Sequence, residues 1–200
     1  MTKETLLSKL QKAADQRNLA RNSTDSLEWY KNNAKRLFSK ESAQTLLIQQ
    51  QEKAKNIGTK VPIGRMYTYG YDALHKDRLP YFDRFPLIFY VGPAEGGFYG
   101  INLHYLSPKY RAILFDALLD IANDPKYPAK RKLILTYDLL KGSQNLIYFK
   151  HTFKHYLASQ LETRVVEIPF DQWEVALYLP TADFGKVSNN RVWSDSMLGL

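Results

Sequence analysis

The sequence predicts an α+β fold: a small antiparallel β-sheet or SH3-like partial barrel packed with helices, preceded by a helical N-terminal arm. Three observations carry this. Apolar residues recur at helical spacing through the first fifty-odd positions. Two aromatic-rich, β-prone runs flank a Gly-rich loop in the middle of the chain. A Ser-Pro start then opens a strongly amphipathic stretch. Changes in character place a helical arm at residues 1–58, an α+β core domain at 59–182 and an extended tail at 183–200.

In the arm, Leu6, Leu7, Leu10, Ala13 and Ala14 form a narrow helical stripe. Asp25 and Glu28 have capping-box spacing before Trp29, and Tyr30, Ala34, Leu37 and Phe38 continue an apolar face. Ser42 is placed to cap a third helix through Leu46, Leu47 and Ile48, which Gly58 ends. Short helices with thin stripes are marginal alone in water, so the arm is expected to dock on the core or on another subunit. In the core, Met66–Tyr69 and Leu87–Val91 read as strands. Phe98–Tyr105 returns as the second arm of a hairpin across Gly92–Gly97, with Gly100 marking a bulge or a close backbone approach. Ser107-Pro108 starts a helix on Tyr110, Ile113, Leu114, Ala117, Leu118 and Ile121, which Asn123-Asp124-Pro125 stops. Residues 131–141 and 147–159 read as further helices, Arg164–Ile168 as a strand, and the segment around Trp173–Leu177 as a short helix. After Pro180 periodicity fades.

Composition bounds the function. The chain has 200 residues, 44% of them apolar, with 14 Tyr and 10 Phe, enough to fill a core. It has no cysteine, which excludes disulfides, thiolate chemistry and Cys-based metal sites and fits synthesis in a reducing cytoplasm. The N-terminal residues lack the apolar run of a signal peptide, and runs such as Pro86–Val91 are too short to span a bilayer, so no membrane partner is expected. The net charge of +8 is unevenly spread: residues 1–60 carry +6, residues 61–125 carry −1 and residues 126–200 carry +3. Such asymmetry suits a polyanion or an acidic partner.

Residues capable of chemistry gather at a few places. His151 and His155, four apart on an expected helix, lack the H-E-x-x-H pattern and a nearby third ligand; with Lys150 and Lys154 alongside, a shared basic face is the better account. Asp72, Asp77 and Asp83 have His75, Lys76, Arg78 and Arg84 interleaved, which reads as a turn with surface ion pairs more readily than as a nuclease site. Gly92–Gly97 fits no phosphate-loop pattern, and no nucleophile signature is present. No cofactor is implied. The informative cluster runs from Lys126 to His155. There Lys126, Lys130, Arg131, Lys132, Lys141, Lys150 and Lys154 face only Asp138, with Tyr127, Tyr137, Tyr148, Phe149 and Phe153 interleaved. Lysine and arginine supply salt-sensitive phosphate contacts, while the rings supply stacking surfaces or core packing. The DNA-binding candidates are Lys126, Lys130, Arg131, Lys132, Lys150 and Lys154.

From Gly64 onward the chain resembles virion proteins of T4-like tailed bacteriophages. A tyrosine-rich strand at Met66–Tyr69 precedes K-x-x-L-P-Y-x-D-x-F-P-L at Lys76–Leu87. Next come G-F-x-G-x-N-L-H-Y-L at Gly97–Leu106 and a helix at Pro108–Leu119. The likeness resumes at Tyr148–Lys150, His155–Leu157 and Trp173–Pro180. The pattern is similar to the DNA end protector family. That resemblance implies a protein that travels in the virion with packaged double-stranded DNA, after synthesis in the host bacterial cytoplasm. It would shield the DNA ends from host exonuclease, beside other phage virion proteins at the portal, neck or tail. It implies no catalysis. Residues 1–57 fall outside the likeness and are expected to be an adaptation to one particular virion. The rival expectation is an architectural neck, tail or baseplate adaptor that does not itself bind DNA. A metal-dependent nuclease using Asp72 and Asp83 ranks last.

Overall fold

A computed structural model of the chain describes residues 62–128 and 145–200, together with 12, 13, 16, 17, 25, 29, 32, 33, 131, 136, 138–140, 142 and 143. The strands are β1 (Met66–Thr68), β2 (Phe82–Asp83), β3 (Leu87–Ala94), β4 (Gly97–Asn102), β5 (Phe153–Leu157), β6 (Val166–Ile168) and β7 (Phe184–Gly185). The helices of the same region are α1 (Pro108–Asn123), α2 (Trp173–Tyr178) and α3 (Asn189–Leu198). Five strands form one antiparallel sheet in the order β5-β4-β3-β1-β6, and β2 and β7 pair separately. The fold is therefore α+β with a small antiparallel sheet, as the sequence predicts.

Period-two alternation gives the sheet two different faces. Met66, Leu87, Phe89, Val91 and Ile101 point to the larger core, where α1 contributes Leu114, Phe115 and Leu118 and α2 contributes Trp173, Ala176 and Leu177. Trp173 sits edge-on to Phe89 with centroids 5.0 Å apart, and its indole N–H donates to the Ile168 carbonyl at 2.8 Å. The opposite face is a cluster of rings: Tyr67, Tyr69, Tyr71 and Tyr156 with Ile88, flanked by Phe82, Tyr90 and Phe98. Their contacts are mostly edge-to-face, the arrangement that ring quadrupoles favour. A third cluster, Tyr105, Ala182, Phe184 and Val192, joins the β2–β7 pair to α3.

The hairpin forms as expected, with one refinement. The register shifts between Tyr90 and Gly92, so Val91 on β3 is the extra residue, and Gly100 lies opposite Tyr90. A Cβ on Gly100 would stand 2.6 Å from Ile88 Cδ1, so the glycine marks a close approach and the bulge is on its partner strand. Helix α1 starts at Pro108 after Ser107, as predicted, but its buried stripe is rotated. Arg111, Leu114, Phe115 and Leu118 are buried, whereas Ile113 is half exposed. Arg111 is accepted because its guanidinium donates to the carbonyls of Leu106, Leu177 and His104.

Two expectations need correction. The predicted helix over 147–159 is a 3-10 turn (Ile147–Thr152) followed by β5 and a second short turn (Ala158–Gln160). Phe149, Phe153, Tyr156 and Leu157 have the i, i+4, i+7, i+8 spacing of a helix, but pairing with β4 decides the segment. The expected extended tail at 183–200 instead contains β7 and α3. The Ser188 side chain accepts from the Arg191 amide at this helix's start, and Gly199 ends it in the left-handed region at φ 69°. Its buried positions include Asp195 and Ser196 beside Val192, so a hydropathy pattern does not reveal it.

Described residues of the arm are helical at 12, 13, 16, 25, 29, 32 and 33. Trp29 packs against the larger core, with the Arg17 guanidinium 5.8 Å from its ring. The expected third helix, Ser42 to Gly58, lies outside the described residues. Among the described residues no helix is long and apolar enough to cross a membrane.

Candidate nucleic-acid interface

Lys126 follows α1 in a turn held by its own amide, which donates to Asp124 Oδ1 at 2.8 Å, and its side chain is exposed. Arg131 is exposed on the next helical segment. Lys150 is exposed on the 3-10 turn, where neighbouring Tyr148 lies on Tyr110 of α1 with centroids 4.5 Å apart. Among the described residues, Lys126, Arg131 and Lys150 form no ion pair. Arg65, Lys76, Arg84 and Arg191 do, with Glu167, Asp72, Asp183 and Asp195 at 2.7 to 3.4 Å. The distinction matters because an unpaired surface cation can meet a phosphate without first giving up an internal partner. Lys130 and Lys132, predicted alongside them, lie outside the described residues, as does Lys141.

Lys154 is placed differently from what the sequence suggests. On a helix it would have shared an outer face with Lys150. On the edge strand β5 it stands on the same side as Tyr156, facing the ring cluster. Its Nζ lies 4.2 Å from the Tyr105 ring centroid, a cation–π contact of about 0.5–2 kcal/mol. Burial pushes its ammonium down to about 8, from an ordinary 10.5. It makes no ion pair among the described residues, so no carboxylate compensates. The expected His151/His155 pair dissolves for the same reason. His155 lies on β5 and its Nε2 is 3.0 Å from the Glu95 carbonyl oxygen, whereas His151 belongs to the preceding turn. Among the described residues no group of three or more His, Asp or Glu could hold a metal ion.

Lys154 borders a cavity of about 360 Å³. Tyr71, Tyr81, Phe82, Tyr105 and Tyr156 supply its aromatic lining, Asp83 its carboxylate, and Leu74, His75 and Leu79 an exposed rim. The rim loop is fixed by Lys186, whose ammonium donates to the carbonyls of Asp77 and Leu79 at 3.1 and 2.8 Å.

Beneath the cavity runs a buried polar chain that no motif in the sequence signals. Asp83 Oδ2 is 2.8 Å from His104 Nδ1, and His104 Nε2 is 3.0 Å from Thr181 Oγ1. The Asn102 side-chain amide donates to Asp83 Oδ2 and to the Tyr156 hydroxyl, and the Phe85 amide donates to Asp83 Oδ1. Burial lowers the basicity of the His104 ring and opposes ionisation of Asp83. The imidazole and the Asn102 and Phe85 donors outweigh that second effect and hold the Asp83 carboxyl below its usual range. Asp83 is therefore the carboxylate and His104 the neutral imidazole, donating from Nδ1 and accepting the Thr181 hydroxyl at Nε2. The order carboxylate, imidazole, hydroxyl superficially matches a hydrolase triad. Thr181 is 0% exposed, however, so no substrate reaches its oxygen, and the chain is a strut that ties β2 and the residues before β7 to the sheet. Asp72, grouped with Asp83 by sequence, is instead held by Lys76 at the exposed loop. The two carboxylates do not converge.

These features define a small basic α+β protein with exposed cations, Lys126, Arg131 and Lys150 among them, that form no ion pair among the described residues, and with an aromatic, lysine-bearing cavity beside the sheet. Over residues 3–196 the chain matches the family described as phage T4 terminal DNA protecting protein, and it belongs to that family. The match includes most of residues 1–57, so the arm is part of the family pattern and not an addition peculiar to one particle. No curated protein and no solved structure matches the chain.

Proposed function

We propose that this protein binds the ends of packaged double-stranded DNA in the virion and blocks host exonuclease by occupying them. Family membership over nearly the whole chain is the observation that carries this reading. Occupation of an end needs no bond-making step, and the hydroxyl end of the Asp83–His104–Thr181 chain is fully buried, which supports a non-enzymatic role. Backbone contacts would come from Lys126, Arg131 and Lys150, with Lys130 and Lys132 in the same stretch of chain. Contacts of that kind are to phosphate and carry no sequence preference.

A second reading is favoured by one separate observation. Leu146, Ile147, Met197, Leu198 and Leu200 are all substantially exposed, and Gly199 packs against Ile147. Exposed apolar residues gathered at one place suit contact with a neighbouring virion protein, so the protein would be held in the particle by this patch while its cations engage DNA. A gel-shift comparison of linear and covalently closed circular duplex tests the leading role. Preference for the linear form supports it, and equal affinity for both removes it.

A further inference from the structure

We propose that the cavity between β5 and the loop preceding β2 is a seat for the terminal nucleotide of a DNA strand, with Lys154 receiving its phosphate. The inference rests on the end-binding reading above and names the part of the protein that distinguishes an end from the middle of a duplex.

A surface of cations cannot make that distinction, because every phosphate along a duplex looks alike to it. A recess can, since only a chain end or an unpaired nucleotide enters one. The cavity, at about 360 Å³, lies at the low end of the about 300–1,000 Å³ range of ligand sites, which suits a single nucleotide better than a base pair. Its walls carry the rings of Tyr71, Tyr81 and Phe82, and aromatic side chains are sequence-tolerant platforms for any base. A protein that caps genome ends has use for that tolerance.

Lys154 supplies the second half of the recognition. Its ammonium borders the cavity, sits against the face of Tyr105 and forms no ion pair among the described residues, the cavity's carboxylate, Asp83, being engaged by His104 and Asn102. A largely buried cation without a counter-ion costs stability, and a bound phosphate would supply the missing charge. Burial that holds the ammonium near 8 still leaves about 90% of it protonated at pH 7, so the charge is present when the phosphate arrives. The Asp83–His104 strut and the two Lys186 hydrogen bonds fix the floor and the rim, so the recess is formed before any ligand binds.

The test compares an open-ended duplex bearing a 5′-phosphate and a one-nucleotide overhang with a relaxed, covalently closed circular duplex that has neither ends nor unpaired nucleotides. Affinities are measured for the full-length wild type, Lys154→Met and Leu74→Trp, the last placing bulk at the exposed rim. The wild type is expected to prefer the open duplex by about ten- to a hundredfold, the range that one stacked base and its phosphate contribute. Both variants are expected to bind the closed circle like the wild type while losing most of that preference. Should Lys154→Met fail to fold, Leu74→Trp at an exposed position answers alone. Wild-type preference retained in the variants would overturn the seat while leaving end binding intact. No preference in the wild type would overturn both.

Discussion

Removing the Asp83 carboxylate is the perturbation whose size the structure allows to be worked out most fully. In Asp83→Ala, the His104 Nδ1–H, an Asn102 N–H and the Phe85 amide lose their acceptor at a buried position. A single buried donor left unpaired costs about 1–3 kcal/mol, so three that share one lost acceptor cost about 4 kcal/mol, toward the lower end of their sum. A domain stable by about 5–15 kcal/mol tolerates that loss narrowly. With a urea slope near 2 kcal/mol per molar, the unfolding midpoint should fall by about 2 M. The pH dependence gives an independent check. His104 titrates below its ordinary 6.5 in the folded chain, so the unfolded chain takes up the extra proton as pH falls beneath 6.5. Stability then declines by up to about 1.4 kcal/mol per pH unit until the folded value is passed. Asp83, also depressed, contributes stability above 3.8 that is lost as pH falls through its folded value. His104→Gln should abolish the first decline and leave the second. An Asp83→Ala loss under 1 kcal/mol would refute this account of the strut, as would an unchanged slope between pH 6.5 and 5 in His104→Gln.

Three further outcomes are expected. Gly97→Ala drives a Cβ into the Tyr156 carbonyl oxygen, a backbone atom, so β5 must separate from β4; a melting temperature within 2 °C of wild type, against an overpacking cost of about 1–3 kcal/mol, would contradict the packing described. Lys154 should titrate near 8 when followed by NMR of its side chain, and Lys154→Met should raise stability at pH 7 by about 1 kcal/mol after allowance for its reach to solvent and for the Tyr105 ring it no longer engages, as expected of a group retained for binding. The triple charge reversal Lys126→Glu, Arg131→Glu, Lys150→Glu should cut DNA affinity and flatten its logarithmic salt dependence by about 2.7, or about 0.9 for each phosphate no longer neutralised, and an unchanged slope would remove these residues from the interface.

Where neighbouring residues alone decide the conformation, the sequence is legible. The hairpin, the Ser107-Pro108 start of α1 and the Trp173 helix follow from turn chemistry and periodicity, and the structure contains each. Segment 147–159 misleads because its rings satisfy two periodicities, and only pairing across Gly97 and Ile101 selects the strand. That single difference also moves Lys154 from an outer face to a cavity wall. Once the segment is known to be a strand, the two-residue step from Lys154 to Tyr156 becomes the signal that they share a face. The Asp83–His104–Thr181 chain spans sequence separations of 21 and 77 residues, and each member alone looks like an ordinary turn or strand residue. Helix α3 is hidden by its buried Asp195 and Ser196, although Ser188 and Gly199 carry the cap signals.

Digestion of a linear duplex by a processive exonuclease measures directly whether this chain guards DNA by sitting on its ends, as proposed. At a few protein molecules per end, the wild type should delay loss of the duplex, while an endonuclease cutting at an internal site of the same molecule proceeds at its usual rate. Exonuclease digestion at an undiminished rate would contradict the account, and so would equal slowing of both enzymes, which would mean coating of the whole duplex and no recognition of its ends.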